Sequence, residues 1–292
     1  MRPIKRIAMI GATGMLGQPV AAALVKAGFE VTALARDVER ARRLLPPGVE
    51  VVEADLRDEE SLRAGLHGQD ALYLNLSVAP GERACDLHSE AQGLDHVLGA
   101  AREANIARIG YVSALIHDTD RSQWWVIDLW RSALARIKAS GIPYTIFYPS
   151  NFMETLAQRH SAGSLFVMLG RARYSNYWIA GSEFGGQVAA AFASPGGANR
   201  EYVIQGPEPL TYDEAVQRYV RALNNSTFVV RLPLWLVHMG GAFSRELDFN
   251  ARIMQAVLDY PEEFKASSTW AELGKPKTSI EGFVAQQRAI AA

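Results

Sequence analysis

Three glycines spaced three residues apart stand in the segment Gly11-Ala12-Thr13-Gly14-Met15-Leu16-Gly17. They follow an apolar run, Ile7-Ala8-Met9-Ile10, and precede a helical pattern with Val20, Leu24 and Val25 on its inner side. The first glycine of such a triplet permits a tight turn. The second lets backbone approach a pyrophosphate, and the third lets helix pack on strand. Phosphate then meets free N–H groups and the positive end of a helix dipole. A glycine triplet alone says little, but between a strand and a helix it predicts a dinucleotide site.

Three further segments fall where such a site needs them. Ala35-Arg36-Asp37 closes the second apolar run. A carboxylate there suits the ribose hydroxyls of NAD, whereas arginine suits the 2′-phosphate of NADP. Arg36 favours NADP; NAD stays open because Asp37 is one position later. Asp55 and Leu56 follow the third run and are expected to border the adenine, carboxylate to the exocyclic amine and leucine to the ring face. Asp55 also reads as an N-terminal acid of the helix that contains Asp58, Glu59 and Glu60. Asn75 and Ser77 end the fourth run, at the carboxyl edge that a cofactor crosses.

The elements that must position these residues are short apolar runs alternating with helical patterns. The runs are 4–10, 30–35, 49–54, 71–76, 109–113 and 144–148. That alternation predicts an α/β fold, a doubly wound parallel Rossmann sheet with helices on both faces. Over 84–104, Leu87, Ala91, Leu94, Leu98 and Ala101 form one apolar stripe of a helix, and over 123–139 Ile127, Trp130, Leu134 and Ile137 form another. The second helix stops at Ser140-Gly141, before Pro143. After Pro149 the alternation lapses into a Gly/Ser-rich passage, the run 165–169 and an aromatic stretch over 174–178. A helix is expected over 183–193 and a returning strand over 201–204. Thr211 is placed to cap a helix over 212–223. Residues 1–150, with 179–206 returning, are read as the dinucleotide-binding domain. Residues 151–178 and 207–292 are read as a smaller, mostly helical cap or substrate region.

Composition narrows the partners. Thirty basic residues against thirty-one acidic ones give a net charge of -1, with the signs mixed along the chain. A nucleic-acid surface would need a basic face, and none is visible. A lone cysteine, Cys85, allows no intrachain disulfide and fits a reducing compartment. No stretch reaches the roughly 18 apolar residues of a membrane helix. The chain is therefore expected to be cytoplasmic, a monomer or homodimer that takes a small molecule. Cys85, His88, Gln92 and His96 share the polar side of the 84–104 helix, but one helix face does not easily supply three metal ligands. No metal is expected, and this side reads as a solvent face or subunit interface.

Together, the glycine loop, Leu34-Ala35-Arg36-Asp37, Ala54-Asp55-Leu56 and Tyr111-Val112-Ser113-Ala114 resemble the NmrA-like group of atypical short-chain dehydrogenases. Ser140-Gly141-Ile142-Pro143-Tyr144-Thr145-Ile146, then Pro149, Asn151, Phe152 and Met153, extend the resemblance, as does Gly206-Pro207-Glu208-Pro209-Leu210-Thr211-Tyr212. It covers most of the chain, more loosely in the last third. The resemblance implies an NAD(P)-binding protein. The group holds reductases of quinones, dyes and plant phenolics, together with redox-sensing regulators that bind nucleotide without turning it over. It adds Ser113, Trp130, Pro149, Asn151 and Phe152 to the expected cofactor contacts.

One departure bears on catalysis. Short-chain dehydrogenases protonate the substrate oxygen with a tyrosine four residues before a lysine. Counted back from Ser140-Gly141, those positions are Val126 and Trp130, and neither side chain carries a transferable proton. Trp130 is expected to fill its helix stripe, to wall the nicotinamide pocket, or both. The candidate proton donors are Ser113, His117 and Tyr148. Quinone reduction does not require them, because water can protonate a hydroquinone anion once the reactants are positioned. Phe152, Tyr174, Tyr177 and Trp178 are candidates to line a flat acceptor site. The sequence thus points to an NAD(P)H-dependent reductase of a quinone-like or conjugated carbonyl acceptor. A non-catalytic NADP(H) sensor or regulatory partner is the alternative.

Overall fold

Alternate residues of the first apolar run point to opposite faces of one sheet, Ile7 and Met9 into one core and Ala8 and Ile10 into the other. Runs buried on both sides are what a parallel sheet between two helical layers demands. The computed structural model describes residues 3–120, 124–159, 161–162, 165–195, 199–223 and 227–291. In chain order the first elements are β1 (Arg6–Ile10), α1 (Gly17–Lys26), β2 (Glu30–Ala35), α2 (Val38–Leu44), β3 (Val49–Glu53), α3 (Glu59–Leu66) and β4 (Ala71–Leu74). Next come α4 (Leu94–Glu103), β5 (Arg108–Val112), α5 (Trp125–Ala139), β6 (Tyr144–Pro149) and α6 (Glu154–Arg159). Then follow β7 (Ser161–Ala162), β8 (Leu165–Leu169), β9 (Ser175–Tyr177), α7 (Gly181–Ala193) and β10 (Arg200–Ile204). The chain closes with β11 (Pro209–Thr211), α8 (Tyr212–Leu223), β12 (Phe228–Leu232), α9 (Leu234–Gly241), α10 (Arg245–Leu258), α11 (Ser267–Leu273) and α12 (Ile280–Ala291).

Seven strands form the main sheet in the order β10-β6-β5-β4-β1-β2-β3, all parallel. The chain winds outward from β1 to β3, then crosses to β4 and winds the other way. The carboxyl ends of β1 and β4 therefore diverge into a crevice, the usual ligand position of such sheets. One face is covered by Val20 and Leu24 of α1 with Phe184, Val188 and Phe192 of α7. The other is covered by Leu62 and Leu66 of α3, Leu94, Val97 and Leu98 of α4, and Leu134 and Ile137 of α5.

Local chemistry sets the helix ends. Asp37 accepts from Arg40 N at 2.9 Å and caps α2, while Asp58 caps α3. Thr211 and Glu214 hydrogen-bond reciprocally across the first turn of α8, a capping box. Gly141, at φ +78°, ends α5 in the left-handed conformation that glycine adopts without steric cost.

Two elements depart from the expected pattern. The helix expected over 84–104 begins only at Leu94, after one π-helical turn at Ser89–Gly93. The wider turn shifts the phase of the buried face, which runs through Glu90, Leu94, Val97, Leu98 and Ala101; Leu87 is 67% exposed. The cap is helical but also contains two small sheets, β11-β9 and β12-β8-β7. Its own core joins Phe166 and Met168 of β8 to Tyr212 and Val216 of α8, Met254 of α10 and Phe283 of α12. Gln123 and the Gly/Ser-rich residues 160, 163 and 164 lie outside the described residues. Among the described residues, no helix is long and apolar enough to cross a membrane, and no group of three or more His, Cys, Asp or Glu is placed to hold a metal ion.

Candidate active site

A cavity of about 1090 Å³ opens along the carboxyl edge of the sheet. Residues 11–16 line it at the end of β1, Arg36 at β2, Asp55 and Leu56 at β3, and Asn75 and Ser77 at β4. Ser113 lines it at the end of β5, Pro149, Asn151 and Phe152 at β6, and Trp130 from α5. Gly17 stands behind the loop. A Cβ there would lie 2.1 Å from the Gly11 carbonyl oxygen, so only glycine lets α1 start so close to β1. Gly11, at φ +81°, turns so tightly against β4 that a Cβ would meet the Asn75 carbonyl oxygen at 2.0 Å. Gly14 is exposed, and an added Cβ would meet nothing of the protein closer than 3.4 Å. Without a side chain there, its backbone lies open to the cavity.

The cradle fits a dinucleotide on three further counts. The N-terminus of α1 has no side-chain cap and no acid in its first turn, so its N–H groups and dipole face the cavity uncompensated. Arg36, Arg40 and Arg57 all line the end beyond β2 and β3, and none has an ion-pair partner among the described residues. Asp37 is occupied in part by capping α2. At the other end, Ser113 Oγ and Asn151 Nδ2 are buried without hydrogen-bond partners among the described residues. Unpaired polar atoms in a cavity wall are sites for a ligand's polar groups, because leaving them bare costs about 1–3 kcal/mol each.

The three candidate proton donors divide. Ser113 is in the wall; His117 and Tyr148 are not. Their rings stack on each other at 4.5 Å, the Tyr148 hydroxyl donates to Glu201 at 2.7 Å, and His117 Nδ1 bonds the Ala114 carbonyl at 2.8 Å. Burial pushes the His117 imidazole below its ordinary range and the Tyr148 hydroxyl above it, so each is held in its neutral form. Val126 is fully buried between Trp124 and Ile127 and also lies outside the wall. Of the aromatic candidates only Phe152 lines the cavity. Trp178 instead stacks on Tyr212 in the cap core and donates to the Leu210 carbonyl, while Tyr177 packs on Phe264.

The rest of the wall comes from residues that sequence reasoning passed over. Phe249, Ile253 and Val257 of α10, with Tyr260, form an apolar side opposite the sheet edge. Their spacing of three and four residues was legible as a helix stripe, but nothing local tied it to the loops it covers. Glu262 fastens that side. It accepts from the Ser150 hydroxyl at 2.6 Å, from Asn176 at 3.1 Å and from Gln205 Nε2 at 2.6 Å. Burial raises its carboxyl above the usual range, and these donors oppose the shift.

The loop between β4 and α4 contributes a polar corner. His88 is expected on a solvent face or subunit interface of that helix, yet it precedes the helix in an extended conformation, is only 6% exposed and stacks on Trp125 with ring centroids 4.8 Å apart. Its Nδ1 lies 2.7 Å from Glu82 Oε2. Glu90, 2% exposed, is within 3.4 Å of the Tyr111 hydroxyl. Burial pushes its carboxyl up to about 7, against the smaller opposing effects of Tyr111 and the Trp130 N–H. The signal for Glu90 was its spacing from Leu94 and Val97, which sets a carboxyl on the apolar face of a helix.

Residues 11–164 match the family described as NAD(P)H-binding. The chain belongs to that family. It is 26% identical over 210 residues to the NAD(P)H azoreductase of Xenophilus azovorans, covering 70% of this chain and 69% of that one. It is 27% identical over 211 residues to quinone oxidoreductase 2 of Escherichia coli strain K12, covering 70% of each. Its fold matches that of Citrobacter sp. triphenylmethane reductase complexed with NADP(H), at a TM-score of 0.73 and 20% identity over 96% of this chain and 99% of that one. An NAD(P)H-binding Rossmann protein is what the loop at the end of β1 led one to expect.

Proposed function

We propose that this chain is an NAD(P)H-dependent reductase of a quinone-like or conjugated carbonyl acceptor, and that within its family it falls in the NmrA-like group. The observation that carries the reading is the continuity of one cavity. Its sheet-edge half offers phosphate-binding backbone, and its cap half offers a flat apolar side made by Phe152, Phe249, Ile253 and Tyr260. A planar, conjugated acceptor matches such a side in shape and polarity. The azoreductase and the quinone oxidoreductase among the relatives, each named for reduction of a conjugated acceptor, support the same class.

In this reading residues 11–16 hold the pyrophosphate, Arg36 with Arg40 and Arg57 selects the 2′-phosphate of NADP, and Asp55 and Leu56 border the adenine. Asn75, Ser77, Pro149 and Asn151 follow the dinucleotide along the edge, and Ser113 and Trp130 flank its nicotinamide end. The reduced nicotinamide, when bound, supplies hydride. The protein's part is to orient acceptor against donor and to keep water from the apolar side, which alone accelerates such a reaction substantially. Residues 1–150 with 179–206 serve as the nucleotide domain, and the remainder as the cap that completes the acceptor side.

Val126 and Trp130 in place of a tyrosine and lysine favour a second reading, a nucleotide-binding sensor without turnover. One assay separates the two. Purified protein is given NADPH and a panel containing a naphthoquinone, an azo dye and an enone, and NADPH absorbance is followed. Oxidation dependent on both protein and acceptor supports the reductase; binding of NADPH with no oxidation across the panel contradicts it.

A further inference from the structure

We propose that proton delivery in this site has moved from α5 to the loop before α4, where His88, held by Glu82, is the proton donor to the bound acceptor. The inference rests on the reductase reading above.

Three observations place the chemistry there. First, His88 lines the cavity although it is buried, and its Nε2 has no hydrogen-bond partner among the described residues. Second, the ring is held at Nδ1 and by stacking. Glu82 Oε2 takes Nδ1 at 2.7 Å, Glu82 Oε1 is itself fixed by Ala79 N at 3.1 Å, and Trp125 stacks on the ring. The backbone N–H of His88 donates to Gln92 Oε1 at 3.1 Å. A carboxylate on Nδ1 fixes the ring's orientation and leaves Nε2 to exchange a proton, which is how an acid–base histidine is oriented for proton transfer at Nε2. Third, the loop stands against the stretch of α5 that lacks its proton chemistry. His88 packs on Trp125, next to Val126, and Glu90 lies beside Trp130.

The step balances simply. Hydride reduction of a conjugated carbonyl acceptor leaves a basic oxyanion. In the imidazolium form Nδ1–H remains on Glu82, and Nε2–H is transferred to that oxyanion. The neutral ring then regains a proton from solvent. Glu90, kept protonated by burial, adds no negative charge beside the oxyanion below about pH 7.

The test compares wild type, His88→Gln, Glu82→Gln and Glu90→Gln by NADPH titration, turnover of an enone and of a naphthoquinone, and nitrogen NMR of the His88 ring in the nucleotide-free protein. NADPH affinity in His88→Gln is expected to stay within about twofold, which also shows that it folds, while kcat falls about 100-fold on the enone, whose reduced anion is strongly basic, and much less on the naphthoquinone, whose anion water can protonate. In Glu82→Gln, where the ring remains but is unheld, kcat on the enone falls about tenfold and the NMR signature of the Nδ1–H bond weakens. If His88→Gln does not bind NADPH, Glu82→Gln carries the test on the same criteria. Wild-type kcat on the enone in both variants would overturn the assignment, and so would full enone turnover in His88→Gln with none in Glu90→Gln, which would give the role to Glu90. Absence of any turnover in wild type would contradict the reductase reading itself, and this inference would fall with it.

Discussion

Residues 11–16 and the α10 side line the same cavity, yet one presents backbone to it and the other side chains. A Cβ at Gly11 or Gly17 would strike the Asn75 or Gly11 carbonyl oxygen, and Gly14 leaves its backbone open to the cavity. The α10 side needs ring area and a carboxylate, Phe249, Tyr260 and Glu262, held by contacts such as Glu262 to Ser150 across 112 residues. A backbone site tolerates no change of residue at a few positions. A side-chain site tolerates many changes, each with a graded effect.

Substitutions can break or sharpen that contrast. The largest effect is expected at Gly17→Ala. Its methyl group would sit 2.1 Å from the Gly11 carbonyl oxygen, costing about 3 kcal/mol of stability and abolishing NADPH binding. Thermal unfolding with and without NADPH checks both, and normal binding would show that the loop is not the cradle.

Glu90→Gln comes next, with an effect that depends on pH. Burial raises the carboxyl to about 7 in the folded chain, so the native state holds a proton that the unfolded state releases in the ordinary carboxyl range. The stability this provides is complete below that range and is lost as pH rises to about 7. Relative to Glu90→Gln, wild type should therefore lose about 3 kcal/mol across that window and nothing further above it. Urea midpoints from pH 4 to 9 measure the difference; parallel curves would mean that Glu90 is not buried as a neutral acid.

Smaller changes are expected at the cavity's two ends. Arg36→Ala should weaken NADPH by about 2 kcal/mol, roughly 30-fold, and leave NADH nearly unchanged, because a charge-assisted bond to the 2′-phosphate is all it removes. Phe249→Ala should raise the acceptor KM about fivefold, the loss of roughly 1 kcal/mol of ring contact, with NADPH affinity unaffected. An equal effect on both ligands would mean that α10 does not separate the acceptor half from the nucleotide half.

How much was legible follows from the same contrast. The loop is encoded locally, so the placement of Gly11 and Gly14 at the cavity and of Gly17 behind it was readable from a few neighbours, as was that of Arg36 at the end of β2 and of the strands that carry them. Even the cap on α8 was visible in Thr211 and Glu214. His88 departs from the face predicted for it because the helix does not reach it: residues 84–88 form a turn and extended chain, which no local signal announced. His117 and Tyr148 looked available at strand ends, but a stack and a bond to Glu201 hold them outside the cavity wall. Phe249, Tyr260 and Glu262 could not be assigned at all, since what gives them a role is the sheet edge they fold against.

The central claim is that one cavity holds a phosphorylated dinucleotide on backbone and selects it by arginine. Calorimetric titration of the protein with NADPH, NADP, NADH and NAD tests this most directly. The account predicts that NADPH binds at least tenfold more tightly than NADH, and that Arg36→Ala removes that preference. Equal affinity for NADPH and NADH in wild type, or a preference that survives Arg36→Ala, would contradict it.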